Sequence, residues 1–355
     1  MTLAFRYTLQ PYAGRRSRAT CLACGGVGQF ARYLDTETGE LLPAEFGRCN
    51  RESNCGHHAS PYAPGPGGES YAHRAALAGN TAAALAGTAR PTPAVRKPAG
   101  PAPPPVLIPA DVYRASLGHY ERNNLARLLR GHFGAGVADE LLARFHVGTS
   151  AHWLGACVFW LLDERGQVRG GQVVLLDKTG HTVKHTATDG SKKRRTTWAH
   201  TALAHRYREL EQAPPAWLSA YEKQPAKSPC LFGLPQLSTA PAGQPVAIVE
   251  SAKTAILATP YLPAFVWLAT GGLSYLTPER LAPVKGRRVV LFPDAGALGN
   301  WQARAERLRA LGFDVEVSEQ IEQLADETER AAGLDLADVL LSEWPGYPPS
   351  WDALE

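Results

Sequence analysis

Short apolar runs alternate with helix-length amphipathic runs in the C-terminal third of the chain. PVAIVE precedes SAKTAILAT, AFVWLAT precedes a short run from Pro278, RRVVLFPD precedes ALGNWQARAERLRALG, and FDVEVS precedes an acidic run. Buried strands that alternate with helices of about ten residues are typical of parallel sheets with right-handed crossovers. We therefore predict an α/β domain over residues 241–355, with a parallel sheet of four strands and helices on both faces.

Two of these predicted strands end in a carboxylate. Glu250 ends PVAIVE, and Asp294 directly follows RRVVLFP. The carboxyl ends of parallel strands meet at one edge of a sheet, where open α/β sheets bind their ligands. Magnesium prefers one or two carboxylates together with phosphate oxygens, so the pair indicates phosphoryl chemistry. Strands that merely end in acids are a common alternative. No G-x-G-x-x-G follows the first strand, which argues against a dinucleotide site.

The middle of the chain, residues 107–240, has a mixed pattern. Apolar residues first recur at helical spacing, at Tyr113, Leu117, Tyr120, Leu125, Leu128, Leu129, Phe133, Val137, Leu141, Leu142 and Phe145. CVFWLLDERGQVRGGQVVLLD then predicts two strands joined by a polar turn, and AHRYRELEQAPPAWLSAYEK returns to helix and loop. We predict an α+β domain. Cys157 and Cys230 lie in apolar runs and are interpreted as buried core residues.

Residues 60–106 are rich in Pro, Ala, Gly and Ser. A segment of this composition buries too little apolar surface to offset the entropy lost on ordering. We predict a semi-extended tether that separates an N-terminal module, residues 1–59, from the rest of the chain.

Composition changes the picture little: 45% of the 355 residues are hydrophobic and 20% are charged, as in ordinary globular proteins. No apolar run approaches the roughly 18 residues of a membrane span. The N-terminus MTLAFRYTLQ lacks the basic start and long apolar core of a signal peptide. We expect a cytoplasmic protein with no membrane partner.

Four cysteines in the N-terminal module have zinc-ligand spacing. Cys21 and Cys24 lie on a glycine-rich turn, and Cys49 and Cys55 follow a predicted hairpin, FARYLDTETGELL. Two thiols separated by two residues can reach one zinc ion, and a second turn supplies the second pair. Disulfides are rare in the reducing cytosol. We therefore predict a structural zinc ribbon with four cysteine ligands; the wider spacing of the second pair leaves His57 or His58 as an alternative ligand.

Charge is distributed unevenly. The whole chain is +4, but residues 311–355 hold twelve acids against Arg330 alone, so residues 1–310 carry +15. The densest basic stretch runs from Lys184 to Arg208, with Trp198 among the cations. Aromatic faces between cations suit stacked bases and tracked phosphates, whereas a solvated loop is the plain alternative. The predicted nucleic-acid-binding residues are Lys184, Lys192, Lys193, Arg194, Arg195, Trp198 and Arg206.

Two motifs resemble those of a known family. VAIVESAKTAIL resembles the glutamate motif of Toprim domains, and VVLFPDAGALGNWQARA resembles their aspartate motif. A cysteine zinc ribbon, a basic α+β region containing HVGTS and CLFGL, and then a Toprim domain is the order found in bacterial primases and in primase-like proteins carried by mobile elements. This resemblance covers nearly the whole chain.

The resemblance implies roles for the parts. In that family the ribbon helps to engage template, the middle region holds DNA and nucleotide, and the Toprim domain binds catalytic magnesium or manganese. It implies that Glu250 and Asp294 are metal ligands. Asp335 or Asp338, in LDLADVLL, resembles the later acidic motif, so Asp338 is a third candidate magnesium ligand.

The sequence departs from the Toprim pattern at one position. The family usually carries Asp-x-Asp, but here Asp294 is followed by Ala295 and Gly296; Gly299 supports this register. Loss of one carboxylate weakens a two-metal site, because each ion needs negative oxygen ligands. Compensation by Asp338, a single ion and a catalytically silent site are all compatible with the sequence.

Two further features lie beside the acids. Lys253 falls one helical turn after Glu250, at a helix N-terminus that favours anions, and is a candidate phosphate partner and catalytic residue; a solvated lysine is the alternative. Thr270, Gly271 and Gly272 form the neighbouring loop, where glycines permit close approach of the backbone to a phosphate or simply make a turn.

The leading hypothesis is a primase-like nucleotidyltransferase that acts in DNA replication. It would use Glu250, Asp294 and metal to make primers on single-stranded DNA from nucleoside triphosphates. The alternatives are a Toprim metal-dependent nuclease and a non-catalytic zinc-ribbon DNA-binding protein with a degenerate Toprim site. G-x-x-x-x-G-K-[ST] is absent from the sequence. Opening of duplex DNA would therefore fall to a separate helicase or other replication protein.

Overall fold

The computed structural model describes residues 6–14, 17–51, 55–63, 69–76, 104–187, 190–224, 230–343 and 346–347. The chain divides into two units, Met1–Ala102 and Pro103–Glu355, and each is described by itself. Most of the predicted tether, including residues 77–103, lies outside the described residues.

The N-terminal unit is built on a small antiparallel sheet. Its strands, in the spatial order β1-β2-β3-β4, are β1 (Tyr7–Leu9), β2 (Phe30–Asp35), β3 (Gly47–Cys49) and β4 (His58–Ala59). The predicted hairpin is confirmed: Leu34 pairs with Leu41, and the Asp35 N–H donates to the Glu40 carbonyl at 2.9 Å. Arg6 forms an ion pair with Asp35 at 2.7 Å and thereby ties the edge strand to the turn.

This unit extends beyond residue 59, where we predicted its end. Residues 71–76 are helical, and Tyr62 and Tyr71 pack against the cluster around Tyr7 and Tyr33. The Tyr62 hydroxyl also accepts a hydrogen bond from the Tyr7 N–H at 2.7 Å. The aromatic residues among the Pro and Gly supply the apolar surface that the composition of the segment as a whole lacks. The prediction of a tether beginning at residue 60 is therefore wrong for this part.

The C-terminal unit contains ten α-helices among its described residues. They are α1 (Ala110–Ser116), α2 (Asn124–Arg144), α3 (Ala199–Glu209), α4 (Ala216–Lys223), α5 (Ala252–Tyr261), α6 (Pro278–Leu281), α7 (Leu298–Ala310), α8 (Gln320–Leu324), α9 (Glu327–Ala332) and α10 (Leu336–Glu343). Helix α2 is interrupted at Gly134, whose φ of 79° is not helical. Short 3-10 helices lie at Tyr120–Arg122, Leu234–Ser238, Leu273–Tyr275 and Ala282–Val284.

An antiparallel sheet forms the middle of this unit. Its spatial order is β10-β7-β6-β5, with β5 (Val147–Thr149), β6 (Cys157–Leu162), β7 (Val168–Val174) and β10 (Thr196–Trp198). The pairing of β6 with β7 confirms the predicted hairpin. Between β7 and β10 the chain forms a separate two-stranded ribbon, β8 (Lys184–Thr186) with β9 (Lys192–Arg194), which carries the basic segment.

The predicted parallel sheet is confirmed. Its spatial order is β12-β11-β13-β14, with β11 (Val246–Val249), β12 (Val266–Ala269), β13 (Val289–Leu291) and β14 (Val315–Val317). All three pairings are parallel. Strand β11 is fully buried, as its continuous apolar run requires. Because β11 and β13 are neighbours, their carboxyl ends place Glu250 and Asp294 at adjacent positions on one edge.

The two predicted regions, 107–240 and 241–355, share one hydrophobic core. Leu129 and Phe133 of α2 belong to the same cluster as Ile256 and Leu257 of α5. Phe145 stacks on Phe232 with ring centroids 5.5 Å apart, and Phe232 pairs with Ala269 at the end of β12. This shared core holds the antiparallel sheet against the carboxyl edge of the parallel sheet. No helix in the described part of the chain is long and apolar enough to cross a membrane.

Candidate functional site

The four predicted zinc ligands converge in the N-terminal unit. The Sγ atoms of Cys21, Cys24, Cys49 and Cys55 all lie within 4.8 Å of one another, with 3.8 Å from Cys21 to Cys55 and 3.9 Å from Cys24 to Cys49. Zinc–sulfur bonds of about 2.3 Å place the sulfurs of a tetrahedral site roughly 3.8 Å apart. These four cysteines could therefore hold a zinc ion in a zinc ribbon.

The alternative histidine ligands have other contacts. His57 stacks on Phe30 with ring centroids 5.6 Å apart, and Nε2 of His58 lies 2.9 Å from the Tyr33 hydroxyl. Neither belongs to the group of mutually close ligand atoms, which among the described residues consists of the four cysteines. The geometry thus favours the four-cysteine set.

The remaining thiols are buried, as predicted. Cys157 is 1% exposed and Cys230 is 7% exposed. Burial raises the pKa of each thiol to about 12, so both are protonated at neutral pH. A buried protonated thiol is neither a nucleophile nor a metal ligand, which fits a packing role.

A cavity of about 570 Å³ lies between the antiparallel sheet and the carboxyl edge of the parallel sheet. It collects residues that are widely separated in sequence. The charged and aromatic side chains that line it are Phe159, His181, Lys184, Arg194, Trp198, Phe232, Glu250, Lys253, Tyr275, Arg280, Asp294, Glu329, Asp335 and Asp338. Seven of the predicted site residues therefore share one cavity: Lys184, Arg194, Trp198, Glu250, Lys253, Asp294 and Asp338.

Glu250, Asp294, Asp335 and Asp338 line one wall of the cavity, which we call the acidic edge. Glu250 and Asp294 form its open part. Burial, followed by the neighbouring Glu250 carboxylate, raises the pKa of Asp294 to about 8. Burial also raises the pKa of Glu250, although the charge of Arg194 opposes this. Among the described residues, no side chain forms a hydrogen bond or ion pair with either carboxylate. Two adjacent, desolvated carboxylates fit a magnesium or manganese ion.

The fit to metal is limited to this pair. In the described part of the chain, no three carboxylates have oxygens that all lie within 4.8 Å of one another. A closed cage of protein carboxylates is therefore not present. This is the arrangement expected where phosphate oxygens and water complete the coordination of the ion.

Lys253 lies beside Asp335 and Asp338. Its Nζ atom is 3.1 Å from Asp335 and 3.5 Å from Asp338, and its side chain is 6% exposed. The two nearby carboxylates raise the pKa of Lys253 against the opposing effect of burial, which is the largest single effect. The predicted phosphate partner is thus an internal ion-pair partner in this structure.

His181 completes this cluster. Its Nε2 atom lies 3.2 Å from Asp338, and its Nδ1 atom lies 2.9 Å from the Thr179 hydroxyl. The Thr179 hydroxyl also donates to Asp177 at 2.6 Å, within the turn that carries His181. The turn between β7 and β8 therefore reaches the acidic edge through one imidazole.

Basic and aromatic side chains face the acids across the cavity. Lys184 and Arg194 are directly opposite each other in the β8–β9 ribbon, and both line the cavity together with Trp198. Arg280 lies over the Tyr275 ring at 4.1 Å. Among the described residues, no carboxylate forms an ion pair with Lys184, Arg194 or Arg280. The cavity thus presents cations that are available to an anionic ligand.

The other predicted nucleic-acid-binding residues lie elsewhere. Lys192 and Lys193 are exposed on β9, and the Arg195 guanidinium lies 5.7 Å from the Trp153 ring centroid. Arg206 lines a different cavity, of about 830 Å³, whose floor includes Val158 and Trp160. Since Phe159 and Leu161 line the first cavity, the two cavities lie on opposite faces of the antiparallel sheet.

Sequence reasoning missed several residues of the cavity, among them His181, Tyr275, Arg280 and Glu329. The polar turn DKTGHT was a usable signal for His181, because Asp and Gly in a hairpin turn fix the direction of the next side chain. No local pattern marks Arg280, which faces the cavity only because a short helix follows the loop after β12.

The glycines near the acids have backbone roles. Gly296 has a φ of 78°, and its N–H donates to the Glu322 carboxylate at 2.7 Å. Gly271 and Gly272 have φ values of 77° and 149°, which side chains rarely adopt. Gly271 lines the cavity and Gly272 donates to the Thr270 hydroxyl at 3.2 Å. The loop after β12 is therefore a tight turn beside the acids.

Sequence families match two parts of the chain. Residues 5–65 match a zinc beta-ribbon finger family, and residues 123–295 match the family described as a domain of unknown function, DUF6371. No curated protein matches the sequence.

Several solved structures resemble the fold. The primase fragment of the bacteriophage T7 primase-helicase protein is 14% identical, with 85% of this chain and 88% of that chain covered and a TM-score of 0.32. The E. coli primase catalytic core is 13% identical, with 68% and 76% covered and a TM-score of 0.40. A DnaG primase catalytic domain bound to single-stranded DNA is 14% identical, with 66% and 86% covered and a TM-score of 0.34. Because these identities and TM-scores are low, function has to be inferred from the site itself.

Proposed function

We propose that this protein is a primase-like, metal-dependent nucleotidyltransferase that makes primers on single-stranded DNA. The observation that carries the proposal is the 570 Å³ cavity, which brings the open carboxylates Glu250 and Asp294 together with the cations Lys184 and Arg194. A ligand that satisfies both walls must carry several negative charges and also accept a divalent cation. A nucleoside triphosphate has this chemistry.

Glu250 and Asp294 are the residues that would hold magnesium or manganese. When bound there, the ion would neutralise phosphate charge and polarise the phosphorus–oxygen bond to be broken. The burial that raises the pKa of both acids also means that a cation bound there would lie in a poorly hydrated site, where its charge would act strongly.

The opposite wall would bind the rest of the nucleotide. Arg194, Lys184 and Arg280 line the cavity and form no ion pair with a described carboxylate, so they are available to phosphate oxygens. Trp198 lines the same cavity and presents an aromatic surface on which a base can stack. These side chains position the triphosphate against the acidic edge, which is the main contribution of a protein to phosphoryl transfer.

Template binding would extend outward from the cavity. Lys192 precedes Arg194 by two residues on β9, so it lies on the same side of the strand, and it is exposed. A strand of phosphates that enters past Lys192 would reach Arg194 and the cavity. The zinc ribbon would help to engage template, as the domain order implies. A separate partner protein would open duplex DNA. We also propose that the protein belongs to the primase-like proteins carried by mobile elements.

The Toprim assignment is part of the same proposal. It is supported by the position of Glu250 and Asp294 at the carboxyl ends of neighbouring parallel strands and by Asp338, which lines the same cavity. The Asp-x-Gly sequence at Asp294 to Gly296 is the departure from that pattern.

A primer-synthesis assay tests the proposal. Wild type and Glu250→Gln are incubated with single-stranded template, nucleoside triphosphates and Mg²⁺ or Mn²⁺, and products are resolved by length. Glu306→Gln is the matched control, since Glu306 is exposed on α7. We expect oligonucleotides with wild type and the control, and none with Glu250→Gln.

Other outcomes identify the alternatives. If wild type shortens the template and Glu250→Gln does not, the protein is a nuclease. If wild type makes no product with either metal, and wild type and Glu250→Gln bind template equally, the protein is a non-catalytic DNA-binding protein. Either result overturns primer synthesis.

A further inference from the structure

Five carboxylates line the cavity. Glu329 accepts a hydrogen bond from the Asp326 N–H at 2.9 Å, and the other four, which form the acidic edge, divide into two sets. Glu250 and Asp294 are open to the cavity. Asp335 and Asp338 are engaged by protein donors on every oxygen, which gives the two sets different capacities for metal.

Asp335 has no free oxygen. One of its oxygens lies 3.1 Å from Lys253 and accepts from the Thr254 hydroxyl at 2.8 Å. The other accepts from the Asp338 N–H at 3.0 Å and lies 3.4 Å from Lys253. The residue is 8% exposed. A divalent cation could reach Asp335 only by displacing these donors.

Asp338 is engaged in the same way. One oxygen lies 3.2 Å from Nε2 of His181 and 3.5 Å from Nζ of Lys253, and the other accepts from the Asp335 N–H at 3.1 Å. Lys253 therefore sits between two carboxylates, buried, where its ammonium group supplies one positive charge to the pair.

The loop after β13 offers no replacement. Gly296 occupies the position where the Toprim pattern has its second acid, and its N–H is already bonded to Glu322. A side chain there would also be strained, because φ is 78° and an added Cβ would lie 3.2 Å from the Arg330 carbonyl oxygen. Only Glu250 and Asp294 remain as open carboxylate ligands among the four.

We propose that this site binds a single divalent cation, at Glu250 and Asp294, and that the Lys253 ammonium group takes the place of a second ion. Lys253 is then a positioning residue that keeps Asp335 and Asp338 out of the coordination of the metal. The inference rests on the proposed function for the identity of the metal site, and it specifies how many ions that site holds.

The experiment is to measure Mn²⁺ bound per chain, on zinc-loaded full-length protein, by electron paramagnetic resonance of the free ion and by titration calorimetry. Wild type is expected to bind one Mn²⁺, and Glu250→Gln to bind it more than about tenfold more weakly. Asp338→Asn is expected to keep one Mn²⁺ with affinity within about threefold of wild type, because Asp338 is not a ligand.

Lys253 is tested by substitution in two ways. Lys253→Gln removes the charge while keeping much of the shape, so Asp335 and Asp338 become available and the number of bound Mn²⁺ ions should rise from one to two. Lys253→Arg restores the charge and should return it to one. Lys223→Gln, at an exposed lysine of α4, is the matched control and should bind one.

The outcomes separate this inference from the proposed function. Two ions on wild type, loss of binding in Asp338→Asn, or a folded Lys253→Gln that still binds one ion would each overturn the role of Lys253 while leaving a metal enzyme in place. No Mn²⁺ on wild type would overturn the metal site itself. If Lys253→Gln does not fold, wild type and Asp338→Asn decide the question.

Discussion

Nζ of Lys253 lies 3.1 Å from Asp335, a residue 82 positions later in the sequence. This ion pair joins the first helix after Glu250 to the segment that precedes α10. It is almost completely buried, and it lies beside the open carboxylates of the cavity. The ion pair therefore fixes the segment before α10 to the helix that follows Glu250, and it holds Asp335 beside the open carboxylates.

Replacing Lys253 should be costly for stability. Lys253→Ala leaves Asp335 and Asp338 buried without their cation, and breaking a buried pair from one side typically costs about 3 to 5 kcal/mol. We expect a loss of this size in the free energy of unfolding of the C-terminal unit, measured by urea denaturation. Lys223→Ala should change it by less than about 0.5 kcal/mol, since Lys223 is exposed. A similar small change for Lys253→Ala would mean that the pair contributes nothing.

Asp294 should make stability fall as pH rises. Its pKa is raised from 3.8 to about 8 in the folded protein, so the folded state holds a proton between these two values that the unfolded chain releases. The free energy of unfolding of metal-free protein should therefore decrease from about pH 4 to about pH 8. Asp294→Asn removes the contribution of this carboxyl group to the pH dependence of the free energy of unfolding.

The comparison of wild type with Asp294→Asn isolates the effect. Urea denaturation at pH 5 and pH 8 should show a larger advantage of the variant over wild type at the higher pH. Addition of Mn²⁺ at the higher pH should restabilise wild type, because binding to the folded state favours it. A difference between the two proteins that does not depend on pH would contradict the raised pKa.

Zinc content should depend on the four cysteines alone. Cys49→Ser removes a buried ligand of the tetrahedral set, so bound zinc, measured by atomic absorption, should fall from about one per chain to well below it. His57→Ala should retain zinc, because His57 stacks on Phe30 outside the ligand group. Loss of zinc from His57→Ala with retention in Cys49→Ser would replace the four-cysteine assignment.

Salt dependence should identify the cations that bind DNA. For single strands, the slope of log affinity against log salt decreases by about 0.7 for each phosphate that the protein no longer neutralises. Lys192→Ala combined with Arg194→Ala should therefore flatten the slope by about 1.4 in fluorescence anisotropy. Arg206→Ala is the control, since Arg206 lines the cavity on the opposite face of the sheet. An equal effect per cation in the control would mean that DNA follows both faces.

The local pattern of the sequence was sufficient to predict the parallel sheet and the convergence of the four cysteines. Alternating strand and helix runs predicted the parallel sheet, because burial on both faces demands continuous apolar strands. Cysteine spacing predicted the ribbon, because two short turns bring four thiols to one point. The position of Glu250 and Asp294 at strand ends was also readable, since a strand end is a local feature.

The sequence alone determined which residues end strands, which cysteines have zinc-ligand spacing and where the basic segment lies. Only the tertiary structure decided which of those residues meet. The strand order β12-β11-β13-β14 makes Glu250 and Asp294 neighbours. The long-range ion pair with Asp335 makes Lys253 an internal cation, where the sequence suggested a phosphate ligand. Arg194 and Arg206 line cavities on opposite faces of the antiparallel sheet. Such relationships depend on how distant elements pack in the shared core, and no periodicity within one element encodes a partner 82 residues away.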